Sequence, residues 1–281
     1  MSLTRGFSCQ YGRQDFTGYS LAGQTTSVFH KNSKVCFDIG QGLPFHLSAK
    51  AFCLTHLHAD HGSGLHYVLS QRSLFRLPKV PILLPGKHLK SAELIIKEWQ
   101  KIEELEYAYE LIPAEEGLQL NLDKGLQLRA YPTPHRIESF AYVLFVKKKK
   151  LLKEYQNLKP LELIVLRKKG KVLEENFFEP LIAFSGDTQI EFLKRHPIML
   201  QSPILFMECT YLDEKKSIEE TRKWGHIHLD EILTYSDQFQ NQYISLIHLS
   251  SRYTSKEALS ILKQKLPPSL FERVHLFPRP F

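Results

Sequence analysis

Three histidines and an aspartate crowd into six residues at His56-Leu57-His58-Ala59-Asp60-His61. Imidazole and carboxylate are the ligands that zinc and similar borderline cations take. His56 and His58 are two apart, so on an extended backbone they point to the same side. Asp60 and His61 follow a turn and can face a second cation beside the first. Two adjacent cations suit hydrolysis of a phosphate ester or an acyl bond, because they clamp both the attacking and the leaving oxygen. The competing reading is a histidine-rich surface loop that gathers metal by accident. Against it stands the apolar run Lys50 to Thr55, a buried strand that would deliver the cluster to a loop at its C-terminal end.

The elements that must hold such a site are short strands and helices. Ser27 to Lys31 and Lys34 to Ile39 are β-rich and are punctuated by Gly40, Gly42 and Pro44. Leu126 to Ala130, Ala141 to Val146, Leu181 to Phe184 and Tyr243 to His248 also read as strands. Ser91 to Tyr107 reads as a helix capped by Ser91, with Ile95, Trp99, Ile102 and Leu105 recurring at helical spacing. Capping boxes at Ser217/Glu220 and Thr254/Glu257 open two more, the second running to about Lys265, and Leu229 to Phe239 is a further helix. Strand clusters in both halves with helices between them predict a layered α/β or α+β domain with two sheets. No internal repeat is visible.

Composition narrows the class. The 281 residues carry 37 Lys plus Arg against 30 Asp plus Glu, a formal net charge of +7. Hydrophobic residues at 43% and charged residues at 24% exclude a disordered or fibrous chain. The longest uncharged apolar run, Phe140 to Val146, is far short of the roughly 20 residues that span a membrane. The start, Met1 to Gly6, has no apolar leader-like stretch. The four cysteines, Cys9, Cys36, Cys53 and Cys209, form no Cys-x-x-Cys pair. Reduced thiols in a cytoplasmic protein are the expectation.

The histidine segment resembles the His-x-His-x-Asp-His motif of the metallo-β-lactamase superfamily. That resemblance implies a four-layer αβ/βα sandwich with a two-zinc site on one edge, and further ligands to be sought along the chain. His135 in Pro132-Thr-Pro-His-Arg, Asp187 in Phe184-Ser-Gly-Asp-Thr and His248 in His248-Leu-Ser-Ser-Arg-Tyr match its later positions. Each alone has an ordinary reading, as a turn residue, a Gly-Asp turn and a core histidine; their order and contexts favour ligands. His248-Leu-Ser-Ser-Arg-Tyr, Met207-Glu-Cys-Thr-Tyr-Leu-Asp and Gly225-His-Ile-His-Leu-Asp-Glu-Ile further resemble boxes of ribonuclease Z, the endonuclease that removes the 3′ trailer from precursor tRNA. The likeness is strongest to its short plant-type form and runs from about Gly18 to the C-terminus. It implies that His56, His58 and His135 hold one zinc, that Asp60, His61 and His248 hold the other, and that Asp187 bridges them. Manganese or iron could replace zinc. It also implies that Asp60 serves catalysis, that His226 protonates the leaving 3′-oxygen, and that Glu208 orients it. The products would be tRNA with a 3′-hydroxyl and a trailer with a 5′-phosphate. His228 reads as a helix-start residue near the site. Arg252 contacts a substrate phosphate or makes a buried ion pair. Cys209 reads as a small buried thiol.

Residues 147–171 hold ten Lys or Arg and two Glu. Extending the segment to 180 adds Glu174, Glu175 and Glu179. Within a single domain over 1–281, residues 147–180 are therefore expected to form an inserted basic arm that grips tRNA through Lys147, Lys148, Lys149, Lys150 and Lys153. Clustered cations release counterions from a phosphate backbone without reading bases. The alternative is a solvated lysine loop. A homodimer is expected from the resemblance. Two other functions stay open: a zinc phosphodiesterase for small or cyclic phosphodiesters, and a non-catalytic RNA-binding member of the fold.

Overall fold

The structure, a computed structural model, describes residues 5–279. Most of the N-terminal stretch read above lies outside the described residues. Two seven-stranded sheets lie face to face. The first runs in chain order through β1 (Phe7–Tyr11), β2 (Gln14–Leu21), β3 (Thr25–His30), β4 (Val35–Phe37), β5 (Ala51–Cys53), β6 (Val80–Pro85) and β7 (Tyr109–Ala114). The second comprises β8 (Gln119–Leu122), β9 (Leu126–Thr133), β10 (Ser139–Leu151), β11 (Glu174–Phe184), β12 (Ile204–Glu208), β13 (Tyr243–Ile247) and β14 (Val274–Leu276), again in chain order.

Both sheets share one plan. Their first four strands pair antiparallel and the next three extend the sheet in parallel. The chain thus contains a structural repeat that its sequence does not show. Parallel strands send their C-terminal ends to one edge, where sites in such sheets form.

Strand alternation sorts the core into layers. Along β10, Phe140, Tyr142 and Leu144 enter the core between the sheets, while Ala141, Val143 and Phe145 face the outer helices. Phe37 stacks on Phe184 across the sheets at 5.1 Å between ring centroids, and Phe16 meets Phe206 edge-on at 4.9 Å. A third cluster packs Phe52, Leu54, Ile82 and Leu84 under the helices Leu65–Leu74 and Leu89–Glu103. Helix, sheet, sheet and helix make the expected four layers.

The helix read as Ser91 to Tyr107 spans Leu89–Glu103, with His88 at its N-cap, so Ser91 lies inside it and caps nothing. Ala92 and Ile96 are buried, whereas Ile95 and Ile102 are 57% and 69% exposed. The helix read as Leu229 to Phe239 ends at Leu233. Both capping boxes are present, on helices Ile218–Lys223 and Ser255–Lys265. β10 and β11 run well past the expected Val146 and back to Glu174, forming a two-stranded ribbon that leaves the body. At its tip sits the helix Pro160–Lys168.

Two buried histidines in the first sheet region make the fold less stable in acid. Burial pushes the pKa of His46 down to about 3 and that of His30 down to about 4. His46 keeps one partner, Ser27 Oγ at 3.0 Å from Nδ1, and its Nε2 is buried without one. The unfolded chain takes up these protons near pH 6.5 and the folded chain only far lower. Stability is therefore lost as pH falls from about 6.5 toward 3, with His46 alone costing ~3 kcal/mol by pH 4. Urea unfolding of His46→Gln is expected to show a shallower pH dependence over pH 6 to 4, by about 1.4 kcal/mol per pH unit. An identical slope in the variant would contradict this.

Candidate metal centre

Four strand ends bring the ligand-type residues together. The turn after β5 carries His56, His58, Asp60 and His61; His135 follows β9, Asp187 follows β11 and His248 follows β13. His56, His58, His135 and Asp187 form one group, and Asp60, His61, Asp187 and His248 a second, each with ligand atoms within 4.8 Å of one another. Asp187 belongs to both. Its Oδ2 lies 3.7 Å from His56 Nε2 and 3.2 Å from His248 Nε2, and its Oδ1 lies 3.3 Å from His61 Nε2. In the first group His58 Nδ1 is 3.1 Å from His56 Nε2 and 3.3 Å from His135 Nε2. In the second, Asp60 Oδ2 is 3.2 Å from His248 Nε2 and 3.6 Å from His61 Nε2.

These atoms suit two cations. His61 Nε2 and Asp187 Oδ1 are fully buried and face each other without a well-formed hydrogen bond, which is costly unless a ligand satisfies them. Burial first, and then the neighbouring imidazoles, hold His56, His58 and His135 below the usual imidazole range, so they are neutral and able to ligate. Burial works against ionising Asp60 and Asp187, yet the surrounding histidines keep both carboxylates below their usual range, Asp60 at about 2.

The sheet repeat reappears around the ligands. In the first half Thr55 accepts from His56 Nδ1 at 3.0 Å and donates to the buried Asp38, which also accepts from His61 Nδ1 at 2.7 Å. In the second half Thr210 accepts from His248 Nδ1 at 3.1 Å and donates to the buried Glu208, which also accepts from His226 Nδ1 at 3.1 Å. Each acid thus orients one histidine directly and a second through a threonine, leaving Nε2 free in the ligands. His226 occupies in the second half the place that His61 occupies in the first. Asp38, Thr55 and Thr210 were missed in the sequence; the signal for Asp38 was an acid directly after the apolar strand Val35–Phe37. Asp38 and His248 both hold positive φ, 52° and 57°. Such strain in non-glycine residues gathers at functional sites.

Two glycines allow the close approaches. A Cβ on Gly225 would stand 2.7 Å from His135 Nδ1, and one on Gly186 would stand 2.5 Å from Thr55 Cβ. Gly225 instead offers its carbonyl, which accepts from His135 Nδ1 at 3.0 Å.

Glu208 is fully buried and also accepts from the backbone N–H of Thr188 and of Ile227. Burial alone would lower the His226 pKa, but Glu208 and then Asp187 outweigh it and lift it to about 9. His228 sits outside the metal groups: its Nδ1 accepts from the Asp230 N–H and caps the helix Leu229–Leu233. Arg252 is exposed and lies 6.0 Å over the Tyr211 ring, with no carboxylate paired to it among the described residues, so the buried ion pair is ruled out. Cys209 is a buried core thiol. Lys147 to Lys150 are exposed on β10, where Lys148, Lys149 and Lys150 face Glu179, Glu174 and Glu175 at 3.2 to 3.9 Å. Lys153 lies at the tip, beyond these pairs.

A four-layer αβ/βα sandwich with two ligand groups sharing one aspartate at its edge defines a protein of the metallo-β-lactamase fold. The fold is similar to that of YhfI from Bacillus subtilis, a metallo-β-lactamase fold protein, with a TM-score of 0.59 at 13% identity over 94% of this chain and 95% of that one. It is similar also to human tRNase Z, short form (ELAC1), with a TM-score of 0.61 at 17% identity over 93% and 95%. No protein-family model matches the chain. Its sequence is 32% identical over 259 residues to tRNase Z TRZ1 of Arabidopsis thaliana, covering 92% of both chains. The chain belongs to the tRNase Z family.

Proposed function

We propose that this protein is a zinc-dependent endoribonuclease that removes the 3′ trailer from precursor tRNA. The observation that supports it most is the pairing of two ligand groups around Asp187 with a separate, carboxylate-held imidazole at His226, which stacks beside His248 at 4.9 Å. Such a pair suits phosphodiester hydrolysis, in which one group helps the attack and another releases the leaving oxygen.

His56, His58 and His135 would hold one zinc, and Asp60, His61 and His248 the other, with Asp187 shared. The two cations supply a water of lowered pKa and offset the charge of the scissile phosphate. His226 donates its proton to the leaving 3′-oxygen, and Glu208 holds the imidazole by Nδ1 so that Nε2 faces the substrate. The lift from Glu208 matters here. Cations bound beside His226 would pull its pKa down, and the Glu208 carboxylate would oppose that by favouring the protonated ring. Asp60 aids catalysis by fixing the second cation; its Oδ2 also accepts from the Gly23 N–H at 2.9 Å, which ties the β2–β3 turn to the site. Arg252, exposed beside Tyr211, contacts a substrate phosphate.

The ribbon 147–180 is the tRNA-gripping arm. Its stalk is nearly self-neutralised by the pairs of Lys148, Lys149 and Lys150 with glutamates. The tip residues Lys153, Lys159, Lys168, Lys169 and Lys171 have no carboxylate at ion-pair distance among the described residues, and they carry most of the grip together with Lys147. Replacing these five tip lysines with alanine is expected to raise KM for precursor tRNA while kcat stays within about twofold. The slope of log binding against log salt should fall by roughly 0.7 to 0.9 per lost phosphate contact. An unchanged salt slope would contradict the arm's role.

A second copy of the chain is the partner we propose for the exposed apolar side chains of the helices Leu65–Leu74 and Leu89–Glu103, among them Leu74, Leu94, Ile95 and Ile102. The four cysteines are unpaired thiols, three of them buried, which supports a cytoplasmic site. No described helix is long and apolar enough to cross a membrane. Release of an intact trailer from precursor tRNA tests the proposal against the alternatives, since a small-phosphodiester hydrolase would not need the arm and a silent RNA-binding protein would release nothing.

A further inference from the structure

We infer that Trp224 is the stacking platform for the nucleobase immediately 5′ of the cut; this rests on the endoribonuclease reading above. Trp224 is 56% exposed, and of the exposed aromatic rings Tyr67, Phe75, Trp99 and Trp224 it stands nearest in the chain to His226. It stands two residues before His226, at the C-terminal end of the helix Ile218–Lys223. The loop that carries it is fixed. The Trp224 N–H donates to the Thr221 carbonyl at 3.1 Å, Gln189 Nε2 donates to the Arg222 carbonyl at 2.9 Å, and the Gly225 carbonyl accepts from His135. The Arg136 guanidinium, next in sequence to His135, lies 4.7 Å over the indole. An exposed indole on a pinned loop, backed by an arginine, is an arrangement that single-stranded RNA uses, a flat surface for a base and a cation for the adjoining phosphate.

The side of the cut follows from the chemistry. Attack on phosphorus is in line with the leaving 3′-oxygen, and His226 gives that oxygen its proton. The nucleotide that owns the leaving oxygen is the last one of the mature tRNA, so it lies on the His226 side. Trp224 and Arg136 are the chain neighbours of Gly225 and His135, and the His135 ring lies 5.5 Å from that of His226, which puts the indole and the guanidinium on that side too. The base that stacks is therefore the one whose 3′-oxygen leaves, and the trailer's first base extends away from the indole.

Cleavage kinetics of wild type, Trp224→Ala and Trp224→Phe on two precursor tRNAs test this, one intact and one abasic at the nucleotide 5′ of the cut. Stacking of one base is worth ~1–3 kcal/mol, so Trp224→Ala should lose roughly 5- to 150-fold in kcat/KM on the intact precursor, mainly through KM. Trp224→Phe should keep most of the activity. On the abasic precursor, wild type and Trp224→Ala should cut at equal rates, because the partner of the indole is already gone. An equal rate on the intact precursor overturns the inference. So does the same loss on the abasic precursor, which would make Trp224 a support for His226. Failure of wild type to release any trailer would instead sink the endoribonuclease reading itself.

Discussion

Asp187→Ala is expected to release trailer from precursor tRNA at least about 10³-fold more slowly than wild type, a loss of ~4 kcal/mol in transition-state stabilisation. Freshly purified variant should hold fewer than one metal ion per chain. The reason is the shared position of this carboxylate. It stands within 3.2 to 3.7 Å of His56, His61 and His248, so its removal takes one carboxylate from both ligand groups at once. Asp187→Asn preserves the shape and separates the loss of charge from any loss of folding. It should melt within a few degrees of wild type yet fail to cleave. Full activity in either variant, or two metal ions retained by Asp187→Ala, would contradict the ligand assignment.

The second large effect is of a different kind. His226→Ala should cut precursor tRNA about 10²- to 10⁴-fold more slowly, the usual worth of a positioned general acid, while keeping its metal. His226 stacks on His248 and lies 3.9 Å from Asp187 Oδ2, but its Nδ1 is held by Glu208 at 3.1 Å. Glu208→Gln should show a smaller loss, because the amide can still accept from Nδ1 but no longer sustains the protonated ring. Metal content and rate measured on the same preparations distinguish this from the Asp187 variants. Loss of metal in His226→Ala in proportion to its loss of rate would place His226 among the ligands instead.

Much of the site was legible in the sequence because ligand chemistry is concentrated. Few residue types bind zinc, and His56, His58, Asp60 and His61 fall in one turn after a strand. The distant candidate ligands His135, Asp187 and His248 are legible only through motif order, and the fold brings all three to the same edge. The residues that orient the ligands were not legible. Asp38, Thr55 and Thr210 are ordinary types in ordinary strands, and their role exists only when strand ends from both sheets meet. The repeat of the two halves is likewise a matter of pairing direction, which side-chain pattern does not record.

Other misreadings have equally physical causes. An apolar stripe says that a helix face is covered by something, not by what. The Ile95/Trp99/Ile102 stripe marks a helix, but Ala92 and Ile96 are the residues that it buries. The ribbon strands went unrecognised past Val146 because a run of lysines has poor strand propensity by itself. Cross-strand pairing with Glu174, Glu175 and Glu179 stabilises them, an interaction that single-strand propensity cannot anticipate.

The central claim is tested most directly by incubating the zinc-loaded chain with a precursor tRNA bearing a 3′ trailer and mapping both product ends. The predicted result is one cut that yields mature-length tRNA ending in a 3′-hydroxyl and an intact trailer beginning with a 5′-phosphate. No trailer release by wild type, or a ladder of trailer fragments shortened from the 3′ end, would contradict it.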